Sequence, residues 1–120
     1  MIPVIRLKDK LARIDQHWTP GIVAAINDYQ VKLVKIEGEF TWHKHADTDE
    51  LFLVLHGNMV IRLRDGEAIL EKGDLCVVPR GVEHKPVAER ECHVLLLEPA
   101  DTVNTGDAPG ELTVDKPNWL

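Results

Sequence analysis

The amino-acid sequence predicts an all-β domain, either a sandwich or a barrel, because short apolar runs alternate with turn residues along its middle part. Between residues 31 and 98, runs rich in Val, Ile and Leu are interrupted every eight to fifteen residues by turn residues such as Gly, Asp and Asn. That spacing is typical of all-β folds. The strands that we predict span residues 31–37, 40–45, 51–55, 59–64, 67–70, 75–78 and 93–98.

Three dipeptides mark the turns between these strands. Asp65-Gly66 separates two apolar stretches and predicts a tight hairpin, since such turns need the positive φ that Gly readily adopts. Gly57-Asn58 and Gly73-Asp74 predict further turns.

The two flanks of the chain are less regular. Residues 8–18 have a helix-like apolar spacing and predict a helical turn. Residues 99–120 contain Pro, Gly, Asp and Thr and predict a tail that lies over the surface. We therefore expect one domain, residues 1–120, with a core at about 31–98, an irregular N-terminal segment and a C-terminal tail.

Composition and charge exclude several classes of partner. The chain has 120 residues, of which 44% are hydrophobic and 28% charged, as expected for one globular domain. A net charge of -6 argues against nucleic acid as a partner, because phosphate backbones are bound by clustered Lys and Arg. The longest apolar runs, 51–55 and 94–97, fall far short of the roughly 18 residues of a membrane-spanning helix.

We expect a cytoplasmic location. Residues 1–6 lack the long apolar stretch of a secretory signal. Cys76 and Cys92 lie in apolar, strand-like runs, and we interpret them as reduced, buried thiols rather than as a disulfide.

Two histidines in the predicted strand 40–45 are candidate metal ligands. Residues two apart point to the same face of a strand, so His43 and His45 direct their imidazoles to one place and Lys44 points away. This spacing is typical of metal ligands on a strand.

The next apolar run offers two carboxylates as a third ligand. Glu50 shares its face with Phe52 and Val54, whereas Asp49 shares the opposite face with Leu51 and Leu53. Both faces are apolar, so periodicity alone leaves either carboxylate open.

The stretch from Gly38 to Gly57 resembles the first motif of the cupin superfamily. The glycine, the histidine pair, the glutamate and the second glycine follow in the family's order, with four residues before Glu50 and six after it. The gap between Gly38 and the histidine pair is one residue shorter than is usual. This resemblance favours Glu50 over Asp49.

A second stretch resembles the second cupin motif. Gly73, the tripeptide Pro79-Arg80-Gly81 and His84 have the spacing of that motif, while Ala88 takes the place of its final Asn. The two motifs together imply a cupin barrel of the jelly-roll type, also called a double-stranded β-helix.

The resemblance also implies a metal site made of His43, His45, Glu50 and His84. Neutral imidazoles and a carboxylate suit one divalent transition metal, namely Fe, Mn, Ni, Zn, Co or Cu. Because cupins include dioxygenases and isomerases, the chain is expected to be a metal-dependent enzyme on a small oxygen-rich substrate, such as a keto acid, a diketone or a sugar-like molecule.

Two alternative functions stay open beside this expectation. One is a non-catalytic small-molecule binding or sensor module. The other is a sugar-phosphate isomerase, which the predicted outward directions of Lys44 and Arg62 weaken and which Arg80 at the rim would serve. The family further implies a homodimer, with residues 2–7 as an exchanged strand.

The remaining polar candidates have no assigned role. His17 and His56 are expected in solvent, and His93 either points into the barrel near the ligands or lies on the outer face of the sheet. Tyr29 and Glu37 are the other acid–base candidates, and strand propensity explains them equally well.

Overall fold

The computed structural model describes residues 1–120 and consists mainly of antiparallel β-strands. One short helix, α1 (Leu7–Leu11), precedes seven strands. The strands are β1 (Gly21–Ile26), β2 (Tyr29–Glu39), β3 (Glu50–His56), β4 (Met59–Leu63), β5 (Gly66–Leu70), β6 (Leu75–Val78) and β7 (His84–Pro99). The chain contains no helix with the length and apolar character needed to cross a membrane.

Strand β7 is shared by both halves of the barrel. The main sheet has the order β1-β2-β7-β3-β6, and β4 pairs with β5 and with the first part of β7. Residues 84–87 pair with β4, whereas residues 93–97 pair with β2 on one side and β3 on the other. The sheet thus curls around one interior, and the predicted jelly-roll-like all-β fold is confirmed.

Alternate residues of the strands fill this interior. Along β3, Glu50, Phe52 and Val54 are buried, while the residues between them are only half-buried. The largest apolar cluster has twelve members: Val34, Ile36, Phe52, Val54, Met59, Ile61, Leu70, Val78, Ala88, Cys92, Val94 and Leu96. One end of the barrel is polar and carries the candidate ligands described below.

The predicted strand at 40–45 is wrong. This segment forms only an isolated bridge between His43 and His84. Gly38 has a φ of 83°, and the β2–β7 register shifts between Ile36 and Gly38, so the regular ladder breaks before the segment begins. Alternation survives only over the second half of the segment, where His43 and His45 are buried and Trp42 and Lys44 are half-buried although no ladder continues.

Strand β1 was not predicted, and α1 is shorter than the predicted helical turn. The apolar run 21–26 contains two alanines, which have weak strand propensity. A signal was nevertheless present in Asn27-Asp28, since Ile26 pairs with Tyr29 across this two-residue turn and Asn27 has a φ of 54°.

The hairpin predicted at Asp65-Gly66 is present. Leu63 pairs with Gly66, so Arg64 and Asp65 form its two-residue loop and the turn begins one residue earlier than predicted. Strand β6 has the predicted bounds. Strand β7 extends beyond the predicted 93–98 at both ends, although exposed charged residues at 89–91 interrupt its alternation.

Candidate metal centre

The four candidate ligands reach one place from three segments of the chain. His43 and His45 lie in the connection between β2 and β3, Glu50 is the first residue of β3, and His84 is the first residue of β7. Two backbone hydrogen bonds join the segments, because His43 N donates to His84 O at 3.0 Å and His84 N donates to His43 O at 2.8 Å.

The donor atoms of these residues converge in a buried cluster. One donor atom from each of the four residues lies within 4.8 Å of the others, and all four residues are buried. Glu50 Oε1 is 3.4 Å from His45 Nε2 and 3.5 Å from His84 Nε2. The structure therefore brings together all four residues that the sequence indicated.

Backbone carbonyls orient two of the imidazoles. His43 Nδ1 is 2.9 Å from Thr41 O, and His84 Nδ1 is 2.9 Å from Val82 O. A carbonyl oxygen only accepts, so each Nδ1 carries the proton and donates. In the neutral ring this leaves the lone pair on Nε2, as metal-binding histidines require.

Three atoms at the centre of the cluster have no hydrogen-bond partner. They are His45 Nε2, Glu50 Oε1 and His84 Nε2, all of them buried. Buried polar atoms in folded proteins are nearly always paired, so three unpaired atoms in one place need an explanation. A nitrogen-and-oxygen donor set of this kind fits a divalent transition metal.

The ionisation states of the candidate ligands also suit metal binding. Burial and the neighbouring His84 lower the pKa of His43 from 6.5 to about 4, so its ring is neutral at neutral pH. Burial alone would raise the pKa of Glu50, but contacts with His45 and His84 outweigh it and hold this pKa below the usual range. The site thus combines a neutral imidazole and a carboxylate, the forms that bind metals.

The rival carboxylate, Asp49, lies outside the cluster. Its side chain is exposed, and Asp49 Oδ1 accepts a hydrogen bond from Arg80 N at 2.8 Å. Asp49 faces outward because consecutive residues of an extended chain point to opposite faces, and Glu50 begins the set of β3 residues that face inward.

None of the other polar candidates contributes to the cluster. His93 Nε2 is bonded to Glu91 Oε2 at 3.1 Å, and His17 Nε2 to Glu91 Oε1 at 2.9 Å. His56, Tyr29 and Glu37 are exposed. The outer-face alternative for His93 is the one that the structure supports.

A small cavity of about 40 Å³ lies beside the cluster. His43 and Glu50 form its polar part, and the rest of its wall is mainly apolar. Trp18 and Phe40 stack in that wall with ring centroids 4.8 Å apart. The other lining residues are Pro20, Val34, Ile36, Phe52, Met59, Pro86, Leu96 and Asn104.

Sequence reasoning missed two further features next to the cluster. Lys32 and Glu98 form an ion pair inside the barrel, with Lys32 Nζ 2.9 Å from Glu98 Oε1. The signal for Glu98 was a charged residue in phase with the inward-facing Val94 and Leu96. Lys32, likewise, is in phase with Val34, but a single lysine in a strand is ordinarily exposed.

The second missed feature is the contact made by the C-terminal tail. Asp107 Oδ1 accepts a hydrogen bond from Lys44 N at 2.8 Å, and Thr105 is only 1% exposed. Part of the tail, which we expected to lie over the surface, therefore packs against the connection that carries His43 and His45.

Comparison with known proteins agrees with this architecture. The family described as "Cupin domain" matches residues 31–98. The uncharacterized protein YdbB of Bacillus subtilis (strain 168) is 41% identical over 64 residues, which cover 52% of this chain and 57% of that protein. The match thus spans little more than half the length of this relative.

Two solved structures have a similar fold. A cupin-2 domain containing protein from Shewanella frigidimarina NCIMB 400 is 52% identical, with a TM-score of 0.79 over 80% of this chain and 94% of that chain. The hydroquinone 1,2-dioxygenase PnpCD, in complex with Cd²⁺ and 4-hydroxybenzonitrile, is 19% identical, with a TM-score of 0.66 over 89% of this chain and 74% of that chain. The latter likeness shows the fold alone. Since the family match takes in more than half of its residues, and the barrel is shared with a cupin-2 protein at 52% identity, the chain belongs to the cupin family.

Proposed function

We propose that the chain binds one divalent transition metal (Fe, Mn, Ni, Zn, Co or Cu) on His43, His45, Glu50 and His84 and is a metal-dependent enzyme. The observation that carries this proposal is the set of three buried donor atoms that converge without a hydrogen-bond partner. Leaving such atoms unpaired is costly, and one bound ion would satisfy all of them. An Fe ion supplies oxygen activation when bound, whereas Zn, Ni or Mn supplies Lewis-acid polarisation of a substrate oxygen.

The cavity supports a substrate with an apolar body and metal-binding oxygens at one end. Its polar end is formed by His43 and Glu50, while Trp18, Phe40 and Phe52 are among the side chains that line the remainder. A keto acid or diketone with a compact apolar body matches this division. The apolar wall excludes water around the body of the substrate, and the stacked rings orient it.

A sugar-like substrate fits less well. Among uncharged polar side chains, only Asn104 lines the cavity, and both ends of its amide are already bonded to the tail. Sugar hydroxyls would therefore lose their hydrogen bonds to water without replacement.

A sugar phosphate, the substrate of the isomerase alternative, is matched even less well by the cavity wall than a sugar is. No Lys or Arg lines the cavity, and the Arg80 side chain is 66% exposed and paired with Asp49. A phosphate in the cavity would meet no cation of the protein.

A small-molecule binding or sensor module is the second candidate. It is favoured by the absence of titratable side chains in the cavity wall other than the ligands His43 and Glu50. With no further acid or base beside the substrate, a proton must come from a ligand, from water or from the substrate itself.

Metal content tests the site. We expect purified protein to carry about one ion per chain, and Glu50→Gln to lose most of it because the amide brings no charge to the ion. Asp49→Asn is the matched control, since it makes the same chemical change at the neighbouring, exposed residue. Full metal content in Glu50→Gln would refute the assignment.

Turnover separates the enzyme from the binder. Wild-type protein loaded with each metal is tested for oxygen consumption and isomerisation with keto acids, diketones, hydroquinones and sugar phosphates. Quenching of Trp18 fluorescence reports binding. The Trp18→Phe variant is the control, since any quenching that it still shows comes from Trp42 and Trp119. Binding without turnover under every metal would favour the sensor module.

We also propose a homodimer. Residues 1–6 belong to no helix or strand of the single chain, and Ile2 and Val4 are 90% and 85% exposed. Strand β6 pairs only with β3, so its other edge is free to accept a strand from a second copy. Sedimentation velocity should give a dimer for the full chain and a monomer after deletion of residues 2–5.

We further propose a cytoplasmic location. Cys76 and Cys92 are both free thiols, which is the usual state in a reducing compartment. Fractionation of cells that produce the tagged full-length chain tests this proposal.

A further inference from the structure

An enclosed ion pair lies inside the barrel, next to the candidate metal centre. Lys32 of β2 and Glu98 of β7 are each 1% exposed, and Lys32 Nζ donates to Glu98 Oε1 at 2.9 Å. Such a pair is a weak source of fold stability, because the loss of hydration offsets much of the attraction between the charges. Its presence in a largely apolar interior calls for another reason.

The strand register places this pair beside the Glu50 carboxylate. Leu51 of β3 pairs with Leu97 of β7, so one step along both strands puts Glu50 opposite Glu98 on the inward face. Burial raises the pKa of Glu98, and the neighbouring charge of Glu50 raises it further. On β2, Lys32 is in register with Leu96 and reaches Glu98 along a diagonal. Lys32, Glu98 and Glu50 therefore share one inward-facing patch on three neighbouring strands, β2, β7 and β3.

Lys32 holds Glu98 by one oxygen only. Glu98 Oε2 is buried and has no hydrogen-bond partner, and the same is true of Glu50 Oε1. Glu50 Oε1 is the atom that faces the imidazoles of His45 and His84, at 3.4 Å and 3.5 Å. The free side of Glu98 is thus available to the Glu50 side chain, while Glu50 offers an oxygen to the metal position.

We propose that Lys32 and Glu98 are a positioning pair that holds the Glu50 carboxylate in its metal-binding orientation. This inference rests on the metal site proposed above. Glu98, on the neighbouring strand, restricts the orientation of the Glu50 side chain. Lys32 anchors Glu98, and its positive charge offsets the negative charge of one of these two neighbouring carboxylates. Loss of groups that orient a ligand typically weakens metal binding about 10- to 100-fold.

The test replaces the pair by apolar residues of similar size, Lys32→Met together with Glu98→Leu. The matched control is Lys85→Met with Glu39→Leu, a Lys–Glu pair between the same two strands in which the Glu39 side chain is 58% exposed. Zn²⁺ affinity is measured by competition with a chromophoric chelator. The visible absorption of the Co²⁺-loaded protein reports the ligand arrangement independently of any activity.

We expect the Lys32/Glu98 variant to bind Zn²⁺ about 10- to 100-fold more weakly and to have an altered Co²⁺ spectrum. Its metal-free circular dichroism and melting temperature should match or exceed those of wild type, as for other buried pairs replaced by apolar residues. The control variant should keep wild-type affinity and spectrum. Unchanged affinity and spectrum in the Lys32/Glu98 variant would overturn the positioning role while leaving the metal site intact.

A single change covers the case in which the double variant does not fold. Lys32→Met removes the ion-pair partner of Glu98 but keeps the Glu98 side chain. We expect this variant to bind Zn²⁺ at least about threefold more weakly than wild type. Wild-type affinity in this variant would overturn the proposal. If wild-type protein itself binds neither Zn²⁺ nor Co²⁺, the proposed metal function fails first, and this inference fails with it.

Discussion

The backbones of His43 and His84 are hydrogen-bonded to each other in both directions, with N···O distances of 3.0 and 2.8 Å. This bridge ties the connection that carries two imidazoles to the first residue of β7. Their rings are consequently close, with centroids 4.3 Å apart. The backbone pairing of these two segments thus fixes the relative position of two of the four candidate ligands.

Removal of the metal should lower stability without unfolding the protein. At a free-ion concentration of 100 times Kd, bound metal adds about 2.7 kcal/mol to the free energy of unfolding. For a domain of this size, that corresponds to a fall in Tm of roughly 10 °C when a chelator is added. Thermal melts with and without chelator measure the fall, and Glu50→Gln should show almost none. Equal melting curves for wild type would contradict metal binding.

The stability of the metal-free protein should depend on pH through His43. The folded-state pKa is about 4, against 6.5 for an ordinary histidine. Between these values the unfolded chain binds a proton that the folded chain does not, so stability falls as the pH drops from about 6.5 to about 4. At pH 5 the loss due to His43 is about 2 kcal/mol relative to pH 7.

Urea unfolding at pH 7 and pH 5 measures this dependence. In His43→Gln the difference between the two pH values should be about 2 kcal/mol smaller than in wild type. Glu98 has the opposite sign, because its pKa is raised in the folded state, but it is present in both proteins and cancels. The same pH dependence in both proteins would show that His43 is not held neutral.

The shared direction of two candidate ligands was predictable from local patterns. Side chains two apart share a face even where no ladder forms, so His43 and His45 both point inward although the strand predicted there is absent. Alternation along β3 separates Glu50 from Asp49 but does not say which of the two faces inward, because both faces of the run are apolar. His84 depends on pairing with a distant segment. For both residues the motif spacing supplied the choice.

The features that sequence reasoning missed depend on long-range pairing. Strand β1 is defined by its contacts with β2, and Ala24 and Ala25 weaken the strand preference of the Ile and Val residues around them. Lys32 and Glu98 become a pair only through the β2–β7 register, which no local pattern specifies. The tail contact at Asp107 depends likewise on a fold already formed.

The two thiols should differ in reactivity. Cys92 is fully buried, and burial raises its pKa to about 11. Cys76 is partly exposed, and burial with the charge of Glu50 raises its pKa as well. Because the thiolate is the reactive form, a thiol reagent should modify Cys76 slowly and Cys92 only after unfolding. Cys92→Ala should keep the native rate, and no reactive thiols in denaturant would contradict the free-cysteine assignment.

Gly106 should be far more sensitive to substitution than Gly110, although both lie in the tail. Gly106 has a φ of 53°, and an added Cβ would overlap the Lys44 carbonyl oxygen and lie 3.2 Å from His43 Cδ2. At Gly110 an added Cβ would meet nothing within 4 Å. Relief of the overlap requires either the tail or the connection bearing His43 to move.

We therefore expect Gly106→Ala to lower the free energy of unfolding by about 1–3 kcal/mol, through backbone strain and overpacking together. Metal affinity should fall as well, because the displaced groups include the backbone of Lys44, the residue that follows His43. Gly110→Ala should stay within about 0.5 kcal/mol of wild type. Urea unfolding and Zn²⁺ competition measure both effects. If Gly106→Ala matched Gly110→Ala in both, the tail would not be packed against the metal centre, and its contact with Lys44 could not contribute to the placement of His43.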